Sequence, residues 1–247
     1  REPRRAEKGR RMTRSVAEVD LDALAALFEA RRSTRAFLPQ RLERERIDRI
    51  LEVARHAPSW CNVQPWRAYV VAGGTLDRLK PELLEAARNR EAAPDVQDLP
   101  EYEEPHLSRK READDALMAA RGLTGMNQFR AIVDAVMSNW RFFDAPQGLI
   151  LTVPRAIGPY ALVDLGSFLY GFLLALEAEG LAGCAQASLA QFPHVLRRHL
   201  PIPESEAVVC GVSFGVADAD APANRCRTVR VPLSELVTHC SSGKESG

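Results

Sequence analysis

One short stretch of the chain combines neutral hydrogen-bonding side chains with tryptophan rings. It spans residues 57–66, reads APSWCNVQPW, and carries Ser59, Trp60, Asn62, Gln64 and Trp66. Neutral donors and acceptors beside flat aromatic rings suit a neutral, planar ligand with a polar edge, such as a heteroaromatic ring. A polar loop whose tryptophans fill the core explains the same composition. The stretch by itself therefore leaves a ligand site and a structural loop open.

A dense cationic cluster precedes that stretch, in the segment RRSTRAF. Its members are Arg31, Arg32, Ser33 and Arg35. Arginine at the end of a predicted helix complements the helix dipole, which is a purely structural explanation. Guanidinium forks beside a hydroxyl also match the tetrahedral oxygens of a phosphate. Arg227 and Arg230, spaced three apart ahead of Pro232, offer a second source of arginine for such a dianion.

The elements that must position these residues are helices and strands in one α+β domain. Apolar spacing predicts a helix over residues 20–32, with Asp20 as its N-cap. Further helices are predicted over residues 43–56, 75–88 with Thr75 as the cap, 108–121, 127–141, 161–180, 192–200 and from about 234. Strands are predicted over residues 66–72 with a turn at Gly73-Gly74, and over 147–153 and 206–215. Residues 92–105 are predicted to form a long surface loop, and residues 186–190 a small polar turn.

The most apolar segment, residues 161–180, has a composition that resembles that of a membrane-spanning helix. Asp164, Glu177, Glu179 and three glycines interrupt it, so the uninterrupted apolar run is too short to cross a bilayer. We expect instead a central helix buried in a core or a subunit interface.

Composition narrows the class of partner. The 247 residues carry 33 basic and 33 acidic side chains, so no whole-protein attraction to nucleic acid or to an anionic membrane is expected. The five cysteines show neither a CxxC pair nor zinc-like spacing, and their odd number indicates free thiols in a reducing compartment, the cytoplasm. No metal site is expected.

Residues 1–19 are basic and lack an apolar run, which predicts a flexible tail rather than a signal peptide. We expect the domain to span residues 20–240, followed by a flexible tail at 241–247.

Taken together, the motifs resemble the FMN-dependent nitroreductase family over nearly all of residues 24–237. The matching segments are RRSTRAF, APSWCNVQPW and the late GVSFGVADADAPANRCRTVRVPLSEL, supported by FFDAP and EGLAGCAQASLA. The loop EYEEPHLSR is similar to a loop shared by the nitrobenzoate-reductase branch of this family. The resemblance implies a nitroreductase-like α+β fold, with a central mixed β-sheet flanked by helices, and a homodimer with flavin sites at its interface.

The resemblance also implies roles for individual residues. The FMN phosphate and ribityl chain would be bound by Arg31, Arg32, Ser33 and Arg35, with Arg227 or Arg230 closing the site. The isoalloxazine would meet a loop of the partner subunit that contains Pro58, Ser59, Trp60, Asn62 and Gln64. Backbone around Gln186, Ala187 and Ser188 would lie by the reactive N5 edge. Many relatives have small residues where Trp60 and Cys61 stand, so Trp60 would narrow the pocket, stack on a ligand or pack outward.

The implied activity is hydride transfer from NAD(P)H through flavin N5 to a small electron-poor acceptor such as a nitroaromatic or a quinone. Two alternatives share the same flavin site: an FMN-dependent dehydrogenase or oxidase that introduces a double bond in biosynthesis, and a flavin-binding carrier or sensor without turnover. No catalytic side chain is expected, because the flavin carries the hydride and solvent can deliver protons. The five histidines form no visible pair in the sequence.

Overall fold

Four strands form one sheet at the centre of the computed structural model, which describes residues 20–96, 100–125 and 128–240. The strands are β1 Arg67–Ala72, β2 Gln147–Pro154, β3 Ala182–Gln186 and β4 Glu206–Gly215, in the order β1-β2-β4-β3. The predicted α+β class is confirmed. The tails predicted at residues 1–19 and 241–247 lie outside the described ranges.

The sheet is antiparallel rather than mixed. Every pairing between the four strands is antiparallel. β2 and β3 run in the same direction, but β4 lies between them, so they never become parallel neighbours. In the described part of the chain, the isolated bridge between Ser33 and Gly183 is the parallel contact at the outer edge of β3.

Three of the strands were predicted and one was not. β1, β2 and β4 occupy the predicted positions, and the interiors of β2 and β4 are almost entirely buried. β3 reads AGCAQ, and its small residues have little of the β-branched or aromatic character that marks strands. The segment therefore forms a strand because of its tertiary contacts with β4.

All the predicted helices are present. They are α1 Leu21–Ala30, α2 Arg44–Ala54, α3 Gly73–Asn89, α4 His106–Ala120, α5 Phe129–Met137, α6 Tyr160–Ala178, α7 Pro193–His199 and α8 Leu233–Leu236. Asp20 caps α1 as predicted, since its carboxylate accepts from the N–H of Ala23 at 2.6 Å. The predicted turn at Gly73-Gly74 and the Thr75 cap are wrong. Gly73 adopts a φ of 55°, which lets the chain pass from β1 into α3 without a separate turn.

Helices cover both faces of the sheet, and a large apolar core lies on each face. Leu149 and Leu151 of β2 face α2 and α6, whereas Ile150 faces α3 and α7. This alternation follows from the two-residue period of a strand. Because both faces are buried, the strands that carry the site are held on either side by packed side chains.

α6 is the central helix of the first core. Its length and apolar composition would be enough to cross a membrane, but the core helices of soluble proteins can have the same length and composition. Leu165, Phe168, Phe172 and Leu176 of α6 are buried against α2 and the sheet. The packing supports the predicted core helix. Tyr170, on the same helix, stays partly exposed and reaches the site described below.

The loop after α3 is fixed to the sheet through Asp95. Its carboxylate accepts from Arg155 at 2.5 Å, from Arg197 at 2.7 Å and from the N–H of Val208 at 2.9 Å. Burial raises the pKa of Asp95, but these three donors outweigh burial, and the net pKa is lowered. The predicted surface loop is therefore anchored at one end.

Candidate functional site

The two arginine groups meet in one cavity of about 600 Å³. It lies between the end of α1, the middle of α6 and the segment that follows β4. Six of the predicted residues line it, namely Arg31, Arg32, Ser33, Arg35, Arg227 and Arg230. Phe28 and Tyr170 close the apolar side, with their rings packed edge to face at 5.2 Å. The structure thus brings together residues from opposite ends of the sequence.

The arginine loop, residues 31–37, is held in place by backbone pairing and by one asparagine. The N–H of Thr34 donates to the carbonyl of Gly183 at 3.1 Å, which joins the loop to β3. The side chain of Asn224 accepts from the N–H of Arg35 at 2.8 Å and donates to the carbonyl of Ala36 at 2.8 Å. Asn224 is buried. These bonds fix the backbone from which the guanidinium groups project.

The cavity carries five arginines and one carboxylate, Glu29, and its arginines form no ion pair in the described part of the chain. The Nε atoms of Arg31 and Arg32 are buried there and have no hydrogen-bond partner. Arg227 and Arg230 donate to nearby backbone carbonyls, and no ion pair among the described residues joins any of the five arginines to a carboxylate. Five guanidinium groups and a hydroxyl with unused donors fit a dianionic phosphate.

The core beneath the loop feels the same positive field. Burial raises the pKa of the Cys184 thiol, while Arg35, the Ser33 hydroxyl and Arg31 act against that rise. Cys184 is therefore close enough to the arginine loop for the positive charges to act on its thiol.

The predicted polar turn lies at the far end of β3. Gln186 is the last residue of the strand, and Ala187 begins a 3-10 turn, Ala187–Gln191. Gly183 contacts the arginine loop, and Gln186 follows three residues later, about 10 Å along an extended strand. β3 therefore connects the arginine cavity to this turn as a rigid spacer.

Asn139, which the sequence did not indicate, holds the turn. Its carbonyl accepts from Gln186 Nε2 at 2.9 Å, and its side-chain oxygen accepts from the Ser188 hydroxyl at 3.2 Å. The neighbouring Trp140 donates from Nε1 to the carbonyl of Ser188 at 3.0 Å. Gln186 also accepts from the hydroxyl of Ser213. The side chains of Gln186 and Ser188 are thus used to shape the turn, and Ala187 is its exposed residue.

The loop containing Pro58 and Ser59 lies outside the arginine cavity. Trp60, Asn62 and Gln64 are exposed, and Asn62 and Gln64 adopt positive φ values of 57° and 47°. Such conformations are uncommon in residues other than glycine and persist only where the surroundings enforce them. Here the Ser59 hydroxyl accepts from the N–H of Gln64 at 2.9 Å. The loop is exposed but held in shape, since Gln64 Nε2 also donates to the carbonyl of Asn62 at 3.0 Å.

The two tryptophans of this stretch have different roles. Trp66 stacks on Phe168 with ring centroids 5.3 Å apart and belongs to the core. Trp60 lies against Tyr160, with centroids 4.8 Å apart, and 60% of its surface is exposed. The N–H of Trp60 donates to Asp164 at 2.9 Å, which fastens the loop to α6. Trp60 thus packs on the outside of its own subunit, which is one of the three interpretations left open for it.

Sequence reasoning missed Asn139 and Asn224. Each is a single polar residue without a repeating pattern, and a lone asparagine in a loop ordinarily indicates a turn. Over residues 20–96, 100–125 and 128–240, no group of three or more His, Cys, Asp or Glu side chains is placed to hold a metal ion.

Comparison with known proteins identifies the family. The family model described as "Nitroreductase family" matches residues 28–216. The 4-nitrobenzoate reductase of Pseudomonas putida is 36% identical over 226 residues, which cover 89% of this chain and 95% of that protein. The nitrobenzene nitroreductase of Ectopseudomonas oleovorans is 35% identical and covers 86% of this chain and 94% of its own length.

A solved structure agrees with this match. The FMN-dependent nitroreductase NfnB from Mycobacterium smegmatis, in complex with NADPH, superposes with a TM-score of 0.84 at 30% identity, covering 89% of this chain and 99% of that one. The matched family region contains the arginine loop, the exposed loop at residues 58–64 and the turn after β3. The chain belongs to the nitroreductase family.

Proposed function

We propose that this protein is an FMN-dependent oxidoreductase that passes a hydride from NADPH or NADH to a nitroaromatic acceptor. The observation that carries the proposal is the arginine cavity, with its buried and unpartnered Nε atoms on Arg31 and Arg32. The names of the relatives, which are nitrobenzoate and nitrobenzene reductases, support the acceptor class. NfnB, solved with NADPH, supports the reductant.

The arginine loop would bind the phosphate of FMN. Arg31 and Arg32 offer unused donors from one side of the cavity, and Arg227 and Arg230 close it from the other. The cavity suits a terminal phosphate, since five arginines line it. Ser33 lines the same cavity and would serve the ribityl chain.

The chain's own residues would position the reaction rather than take part in it covalently. When bound, FMN supplies a centre that accepts and donates hydride. The turn at Gln186, Ala187 and Ser188 begins about 10 Å from the arginine loop, as measured along β3 from Gly183, and would lie beside the flavin ring. Because the flavin would carry the hydride, we assign proton delivery to solvent.

We further propose that the enzyme is a homodimer in which each site is shared. The loop of Pro58, Ser59, Asn62 and Gln64 is exposed, conformationally constrained and outside the arginine cavity of its own chain. A partner subunit would bring this loop to the flavin, and Trp60 would then lie at the entrance. The exposed side of α6, with Val163 and Tyr170, offers apolar surface for the contact. All five cysteines are free, which supports a reducing compartment such as the cytoplasm.

The test begins with the purified protein. We expect it to be yellow, to release FMN and not FAD on denaturation, and to be bleached by NADPH without oxygen and recoloured by 4-nitrobenzoate. The double variant Arg31→Glu/Arg35→Glu should lose the flavin, whereas Arg44→Glu, an exposed change on α2, should keep it. FAD in the released fraction, or no flavin after reconstitution, would overturn the proposal.

A further inference from the structure

The segment between α5 and β2 holds the turn after β3 through two neighbouring residues, Asn139 and Trp140. The side-chain oxygen of Asn139 accepts from the Ser188 hydroxyl at 3.2 Å, and its carbonyl accepts from Gln186 Nε2 at 2.9 Å. Trp140 Nε1 donates to the carbonyl of Ser188 at 3.0 Å. Gln186 and Ser188 flank Ala187, the exposed residue of the turn. Two consecutive residues thus hold the turn on either side of Ala187.

Asn139 and Trp140 belong to a constrained 3-10 segment, Ser138–Asp144. Asn139 Nδ2 donates to a backbone carbonyl at the end of α5 at 2.9 Å. The indole of Trp140 packs edge to face on Phe192, with ring centroids 6.0 Å apart. Further along the segment, the buried Phe142 adopts a φ of 57°, a conformation that persists only where the surroundings enforce it. The groups that bind the turn are therefore themselves fixed.

Strand β4 holds the same turn through buried contacts. The hydroxyl of Ser213, which is fully buried, donates to the side-chain oxygen of Gln186. Leu189, in the 3-10 turn, is fully buried where Gly211 leaves room for it, since a Cβ on Gly211 would lie 2.5 Å from Leu189 Cδ1. The turn is thus held both by the sheet and by the segment that carries Asn139 and Trp140.

These contacts are separate from the arginine cavity. Asn139, Trp140 and Ser188 do not line that cavity, and the turn begins about 10 Å from the arginine loop along β3. A change at Asn139 or Trp140 therefore leaves the phosphate-binding donors in place. The affinity for FMN and the placement of its ring can accordingly be altered one without the other.

We propose that Asn139 and Trp140 are positioning residues of the flavin reaction, which fix the turn beside the ring of bound FMN. The inference rests on the proposed function and adds two residues to it. Both act through Gln186 and Ser188, and neither is assigned a contact with the reacting atoms. Because a displacement of about 1 Å can slow a reaction about 100-fold, the fixed shape of this turn governs the rate of flavin reduction more than the affinity for FMN.

The main test is Trp140→Phe, which keeps an aromatic ring beside Phe192 and removes the donor to Ser188. The dissociation constant of FMN, measured by titrating apoprotein into the fluorescent flavin, should stay within about threefold, since the phosphate donors are unchanged. The rate constant for reduction of bound FMN by saturating NADPH, measured by anaerobic stopped flow, should fall about 10- to 100-fold. Asn139→Leu, which removes the acceptor of the Ser188 hydroxyl, should show the same separation.

Visible circular dichroism of the oxidised holoenzyme gives a readout that does not depend on turnover. Its flavin bands depend on fixed surroundings, and their amplitude should fall by about half in both variants, because a loosened turn no longer holds the ring in one orientation. Tyr69→Phe is the matched control. It also removes one aromatic donor, to Glu206 at 2.9 Å, but from β1, at the opposite edge of the sheet from β3. It should lower the urea midpoint and leave the reduction rate and the flavin bands unchanged.

Reduction rates and flavin bands that match those of Tyr69→Phe would overturn the inference. A loss of FMN affinity with normal reduction of the reconstituted holoenzyme would also overturn it, because the turn would then serve binding alone. Trp140→Phe decides the question if Asn139→Leu does not fold. A wild-type protein that binds no FMN, or whose FMN is reduced by neither NADPH nor NADH, would instead contradict the proposed function, so the two failures are distinguishable.

Discussion

Thr34 donates its backbone N–H to the carbonyl of Gly183 at 3.1 Å, and this bond sets the arginine loop on the outer edge of β3. The edge of a sheet carries unpaired backbone groups, and here the loop satisfies part of that edge. Gly183 also packs against α6 so closely that a Cβ there would lie 2.9 Å from Leu176 Cδ1. The position of the arginine loop is thus determined by the core as well as by the loop itself.

Removing the side-chain amide of Asn224 should weaken both the fold and the cavity. In Asn224→Leu, the partly buried N–H of Arg35 and carbonyl of Ala36 lose their partner, and unsatisfied groups that are fully buried cost about 1–3 kcal/mol. We expect a lower urea midpoint and an FMN dissociation constant raised at least about tenfold, since this lost hydrogen-bonding energy also orders the loop. Asn89→Leu, at an exposed site, is the control. Normal FMN affinity in the destabilised variant would show that Asn224 does not position the loop.

Asp95 should make the folded state sensitive to acid. Its pKa is lowered on folding, so its stabilising effect is present above the unfolded value of about 3.9 and is lost as the pH falls through the lower folded value. Asp95→Asn should therefore lower the free energy of unfolding at pH 7 and flatten its decline below about pH 4. Urea titrations at several pH values measure this, with the exposed Asp77→Asn as a comparison. An acid slope identical to wild type would contradict the prediction.

No histidine should be essential for flavin reduction. None of the five histidines lines the arginine cavity, and the ring of His199 forms a hydrogen bond with Glu82 at 2.8 Å. Each His→Ala variant should keep NADPH-dependent flavin reduction within about tenfold, because general acid–base catalysis worth about 10²–10⁴ does not depend on a histidine here. His199→Ala is expected to lose stability instead. A thousandfold loss with FMN still bound would reveal a missed catalytic acid.

A shared site predicts complementation between two inactive variants. Arg31→Glu/Arg35→Glu disables the arginine loop, and Ser59→Trp/Asn62→Trp blocks the exposed loop. In the heterodimer, the loop variant supplies an intact arginine cavity and the arginine variant supplies an intact loop, so one of two equal sites is restored. We expect FMN binding and up to half the activity per dimer after co-expression. Heterodimers that form yet remain colourless would mean that each subunit builds its own site.

Sequence patterns predicted the structural features that depend on the spacing of nearby residues. Ile47, Ile50 and Ala54 recur at helical intervals, and all three are buried along α2. The two arginine groups were predicted to serve one phosphate from their chemistry together with the family resemblance, and the structure places them in one cavity. Period was sufficient for the helix, whereas the arginine groups also required the resemblance.

Other features depend on partners distant in sequence and could not be predicted locally. β3 is a strand because β4 pairs with it, although AGCAQ has little strand propensity. The side chain of Asn224 forms hydrogen bonds with Ala36 and Arg35, which lie 188 and 189 positions earlier in the chain. Gly73 starts a helix where a Gly-Gly pair ordinarily predicts a turn, since β1 leads directly into α3. In each case the tertiary contact overrides the local preference.

The spacing of two residues on α6 has a consequence for how related genes can diverge. Asp164 holds the loop of Trp60, and Tyr170 lines the arginine cavity six residues later, about 9 Å further along the helix axis. One inserted residue between them would rotate Tyr170 by about 100° relative to Asp164. Residues 100–103 have no helix or strand to interrupt. Insertions and deletions should therefore accumulate in the connection between α3 and α4 during evolution, while the length of α6 between these two positions stays constant.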